Sequence, residues 1–200
     1  GYMCMPTGNH DMIRYSHRRT QDEMKLVAAF IMLMPSIPFV YYGDEIGLPY
    51  REGLASKEGG YFRTGSRTPM QWDGGKNRGF SSADGALYLP VDMSPASPDV
   101  QAQAADENSL LNTVKRFARL RAGEEALQAA GNLELVYAAE GEYPFVFRRG
   151  KFVVAVNPRA RQAQAALPQG NFRVRESIGK ATLESGSVVL GALVVLEENA

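Results

Sequence analysis

Residues 2 to 42 set a strand, a capped helix and a second strand in succession, and few folds accommodate that order. "YMCM" at 2–5 is a short apolar run that ends in the Pro-Thr-Gly turn at 6–8. "TQDE" at 20–23 is a capping box, with Thr20 at the helix N-terminus and Glu23 reaching back to its amide. Met24, Val27, Ala28, Ile31 and Met34 follow at three- and four-residue steps. Leu26, Phe30 and Leu33 make a second stripe, which predicts a helix covered on more than one side. "PSIP" at 35–38 stops it, because proline cannot continue a helix and restrains the residue before it. "FVYY" at 39–42 lacks alternation and predicts a strand buried on both faces. Strands joined through a helix in this way lie parallel.

The remainder divides in two. Residues 43 to about 105 are dominated by glycine, proline, serine and charge. Loops beyond ~15 residues in a compact domain are uncommon and are usually functional or disordered. Tyr61, Phe62, Met70, Trp72 and Phe80 are interspersed, so this one is expected to be ordered and to form part of a site. A second helix is expected from Asp106 to Ala122, with Leu110, Leu111, Val114, Phe117, Ala118 and Arg121 on one face and Gly123 as its C-terminal cap. Beyond Gly131 come seven short runs, "LELVYAA", "YPFVFRR", "KFVVAVN", "RQAQAAL", "FRVRES", "SVVL" and "ALVVLEE". Their spacing reads as an antiparallel sandwich or barrel, with a boundary near 131.

Composition narrows the function. Lys plus Arg number 22 and so do Asp plus Glu, which disfavours a dedicated binder of nucleic acid or anionic membrane. The basic "SHRR" at 16–19 reads as a solvated loop. The longest apolar run, "LVAAFIMLM" at 26–34, is far short of the ~20 residues a membrane helix needs. No signal peptide is visible, and the chain is expected to be cytoplasmic. A single cysteine excludes an internal disulfide and a Cys-rich zinc site; the apolar neighbours of Cys4 predict a buried, inert thiol.

Few residues invite chemistry. His10 and Asp11 follow the first strand, either as a catalytic pair or as a hydrogen-bonded corner. Their position favours the former, since ligands gather at the C-terminal ends of parallel strands and the long loop follows the next strand end. Asp44 and Glu45 are a poor acid–base pair, because adjacent residues on a strand point to opposite faces. A metal at His10, Asp11 and His17 is disfavoured by the arginines around His17. Trp72 is either a platform on which a ligand stacks or a hydrophobic plug that orders the loop, and the plug is favoured. "EGG" and "DGG" lack phosphate-loop spacing and are turns.

"GNHD" after a strand, then a helix, "PFVYYGDEIG", "SRTPMQWD" and "GFS", in this order, resemble the C-terminal part of glycoside hydrolase family 13, the α-amylase family. The α-glucosidase, oligo-1,6-glucosidase and trehalose synthase branch is the most similar. The resemblance implies an α+β chain: the last two βα units (strands 7 and 8) of a (β/α)8 TIM barrel, followed by an antiparallel β-sandwich. The barrel part, with its long substrate loop and eighth helix, would occupy 1–131 and the sandwich 132–200. It implies retaining cleavage of α-linked glucosides, in which an aspartate nucleophile and a glutamic acid ~5 Å apart flank the bond. Asp11 would be a third carboxylate that binds sugar hydroxyls and keeps the acid's pKa high, with His10 bonding the same sugar. Arg67 would grip the terminal glucose, its planar fork suiting paired hydroxyls or a carboxylate, and Asn9 and Arg14 join it as substrate-binding candidates.

No residue here maps onto the nucleophile or the general acid, which in that family lie upstream of "NHD". The chain is therefore expected to be a fragment or a subunit of a split protein, inactive alone, with the missing N-terminal part as its partner and no cofactor or metal. Trehalose synthase-type glucosyl transfer and a non-catalytic binding scaffold are the alternatives. Two strands cannot close a barrel, so self-association through residues 2–42, or loose packing of that segment, is also expected.

Overall fold

The structure is a computed structural model that describes residues 1–57 and 63–199. Tyr61 and Phe62, expected to help order the long loop, lie outside the described residues. The chain falls into two compact units, one of Cys4–Met24 and Pro38–Arg116, the other of Gly1–Met3, Lys25–Ile37 and Phe117–Ala200.

The strand–helix–strand succession is present. Strand β1 is Cys4–Pro6, helix α1 is Gln21–Leu33 and strand β2 is Ile37–Phe39. The capping box forms as the sequence predicts: Glu23 N donates to Thr20 Oγ1 at 3.2 Å and Thr20 N to Glu23 Oε2 at 2.7 Å. β1 and β2 make a two-stranded sheet. Ile37 N donates to Met3 O at 2.8 Å and, further along both strands, Thr7 N donates to Phe39 O at 2.9 Å, so the strands run in the same direction.

Two expectations are corrected here. β2 ends at Phe39, and Phe39 and Val40 are exposed rather than buried on both faces. Cys4 is exposed as well. The cause is the same in each case: a sheet of only two strands leaves edges and faces open, so an apolar run does not by itself secure burial.

In the first unit, the long loop is held by buried polar side chains. Trp72 is 50 % exposed and is therefore not the plug. Gln71 is fully buried; its Nε2 donates to Ser97 Oγ and Pro98 O at 2.7 Å each, and its Oε1 accepts from Asp92 N at 3.1 Å. Arg78 is buried, with Nε donating to Asp92 O at 2.9 Å and Nη2 to Ser94 O at 2.5 Å. The segment ends in α2, Val100–Ala105, capped by Asp99 Oδ1, which accepts from Ala102 N at 2.7 Å. The second helix starts later than expected: Asp106 terminates α2, and α3 spans Leu110–Gly123, with Gly123 inside its last turn rather than beyond it. Ile46, Leu48, Met70 and Leu111 form the apolar core under this loop, with Val100 packed on it.

The second unit carries eight antiparallel strands: β3 Glu134–Tyr137, β4 Phe145–Arg149, β5 Phe152–Val156, β6 Ala163–Ala166, β7 Phe172–Ile178, β8 Ala181–Glu184, β9 Ser187–Leu190 and β10 Leu193–Glu198. Each of the seven runs holds one, and β8 was not legible as a run. They form a five-stranded sheet in the order β3-β4-β5-β10-β7 and a three-stranded sheet β6-β9-β8. Val146, Val153, Ala155, Val194 and Leu196 from the first sheet share one buried cluster with Ala165, Val188 and Leu190 from the second. The i, i+2 spacing of Val153 with Ala155 and of Val194 with Leu196 puts each pair on one face. In the same unit Arg121 donates to Met32 O and Met34 O at 2.7 and 2.9 Å and to Ser36 O, so a cation sits on the carbonyls at the end of α1.

Candidate active site

The site is built from the ends of β1 and β2. Thr7, the residue after β1, holds them together: its Oγ1 accepts from Tyr41 N at 3.0 Å and donates to Asp44 Oδ2 at 2.6 Å. Asp44 Oδ1 accepts from Arg14 Nη1 at 2.9 Å, and neither side chain has any solvent exposure. Burial pushes the Asp44 carboxyl up, against the opposing pull of Thr7 and Arg14. Gly43 makes this turn possible. Its φ is +83°, and a Cβ there would lie 2.8 Å from the Leu48 side chain.

Arg14 is placed beneath the site rather than in it. Besides Asp44, its fork donates to Tyr42 O at 2.8 Å and Ser66 O at 2.9 Å, and its guanidinium lies 4.9 Å from the ring centres of both Tyr41 and Tyr42. Only 2 % of the residue is exposed, so its fork has no face left to offer a ligand directly. Its hydrogen bonds, with those of Tyr41 OH to Ser66 O (3.2 Å), Tyr42 OH to Thr68 O (2.8 Å) and Ser66 Oγ to Met12 O, lock residues 64–68 onto the turn that carries Asp11.

That lock presents two arginines to one carboxylate. Asp11 Oδ1 accepts from Arg63 Nη1 at 2.9 Å and from Arg67 Nη2 at 3.0 Å. Arg67 Nε also donates to His10 O at 3.1 Å, and Asn9 Oδ1 accepts from Asp11 N at 2.8 Å, which fixes the turn. His10 Nε2 stands 3.5 Å from Asp11 Oδ2, and both side chains are exposed. The hydrogen bond from Arg63, opposed by slight burial and aided by the charges of Arg63 and His10 and by Arg67, holds the Asp11 carboxyl below the usual carboxylate range. The carboxylate is therefore ionised at neutral pH, and its two oxygens can only accept hydrogen bonds.

His10, Asp11, Asn9 and Arg67 thus come together, while Arg14 braces them from below. Arg63 was missed. The available signal was its spacing: the 3-10 turn Thr64–Ser66 separates Arg63 from Arg67, and both reach Asp11. Among the described residues no group of three or more His, Cys, Asp and Glu could hold a metal ion.

An exposed Asn-His-Asp turn behind a parallel strand, clasped by arginines of the loop that follows the next strand, matches a known class. Residues 2–130 match the family model for the α-amylase catalytic domain, and the chain belongs to the α-amylase family. Among its relatives, the salivary alpha-glucosidase of Aedes aegypti is 31 % identical over an alignment 168 positions long that covers 75 % of this chain and 28 % of that protein. The trehalose synthase/amylase TreS of Mycobacterium tuberculosis is 33 % identical over an alignment 120 positions long that covers 58 % of this chain and 19 % of that protein. The crystal structure of the alpha-glucosyl transfer enzyme XgtA superposes with a TM-score of 0.81 at 26 % identity, covering all of this chain and 41 % of that one. The chain spans less than a third of either curated relative.

Proposed function

We propose that this chain supplies the third carboxylate and the glucose-binding loop of a retaining enzyme that acts on α-linked glucosides such as maltodextrins and isomalto- or sucrose-type oligosaccharides. The supporting observation is the ionised, accessible Asp11 carboxylate, held by Arg63 and Arg67 at the end of a parallel strand. A carboxylate so placed accepts hydrogen bonds from sugar hydroxyls, and those bonds strengthen as the ring approaches an oxocarbenium-like state. Its negative charge also keeps a neighbouring carboxylic acid protonated, as the general acid requires. His10 bonds the same sugar and Arg67 bonds the terminal glucose, with Asn9 fixing the turn and Arg14 acting through it.

In this proposal residues 1–131 are the last two βα units of a (β/α)8 barrel with their long loop and final helix, and 132–200 are an antiparallel β-sandwich. The family match over 2–130 and the two antiparallel sheets after it support that division. The nucleophile and general acid would come from sequence outside this chain, so the 200 residues alone are inactive. Exposed Tyr2, Met3 and Ile37 in one unit, and Phe39 and Val40 in the other, support self-association of the isolated chain. The identity to a trehalose synthase favours one second reading, intramolecular transfer of the glucosyl group. Product analysis with maltose and the full-length protein tests both: free glucose marks hydrolysis, trehalose marks transfer, and neither product defeats the assignment.

A further inference from the structure

We draw no further inference here: the strongest candidate, the Glu45 carboxylate in the 3-10 turn that follows β2, has a buried Oε2 with no hydrogen-bond partner among the described residues, but nothing in the structure shows which group would pair with it.

Discussion

Arg14 Nη1 and Asp44 Oδ1 are 2.9 Å apart with neither side chain reaching solvent, and this pair fastens the strand end that carries the candidate site. Removing one partner strands the other charge in the interior, a change that typically costs ~3–5 kcal/mol. Arg14→Met is expected to lower stability by that order in urea unfolding. A loss below about 1 kcal/mol would show that water or another group compensates Asp44.

Asp11 has the opposite character, since it is exposed and its carboxyl is lowered by Arg63 first. A group with a folded-state pKa below its unfolded value stabilises the fold above the unfolded pKa and ceases to do so as pH falls through the folded one. Any contribution from Asp11 is therefore present at neutral pH and fades below about pH 4. Carboxyl titration by NMR should find Asp11 ionising below the usual range, and Arg63→Gln should move it upward. An unmoved titration would separate Arg63 from the carboxylate in solution.

If the proposed function holds, Asp11→Asn in the full-length protein removes a charge that matters most as positive charge develops on the sugar ring. The expected loss is about 10²–10³-fold in kcat, with the fold intact by circular dichroism. Kinetics within a few-fold of the unaltered enzyme would take Asp11 out of the site.

Arg67 offers a planar fork that already spans Asp11 and His10 O. Lysine keeps the charge and loses that geometry, so Arg67→Lys should be nearly as damaging as Arg67→Ala on substrates with a terminal glucose. The comparison is kcat/KM on maltose, and full rescue by lysine would reduce the residue to a point charge.

Gly43 tests the backbone itself. A side chain at φ +83° would also press on Leu48, so Gly43→Ala should destabilise the fold by roughly 1–3 kcal/mol. Thermal unfolding of the variant decides the matter, and an unchanged midpoint would mean that the turn relaxes freely.

Local rules carried far into this chain. The capping box at Thr20 and Glu23 and the runs that became seven of the eight strands each depend on neighbours in sequence, so they could be read directly. Burial could not. Cys4, Phe39 and Val40 are apolar and exposed because burial depends on what lies across the sheet, which no run of residues records. The long loop misled for a related reason: Trp72 was the obvious plug, yet Gln71 and Arg78 hold the loop through hydrogen bonds to Pro98 O, Asp92 O and Ser94 O. Such polar anchors have no periodicity to betray them. Within the site, motif order singled out Asn9, His10, Asp11 and Arg67, whereas the clasp from Arg63 and the burial of Arg14 emerged only once the turns were folded.

The most direct measurement compares two purified proteins, the 200-residue chain and the full-length protein, for release of glucose or formation of trehalose from maltose. Turnover by the longer protein, with none from the 200 residues above a no-protein blank, is the predicted result. Steady turnover by the 200 residues alone, free of contaminating glycosidase, would mean that the bond-breaking groups lie within this chain and would contradict the assignment of Asp11 as a helper carboxylate.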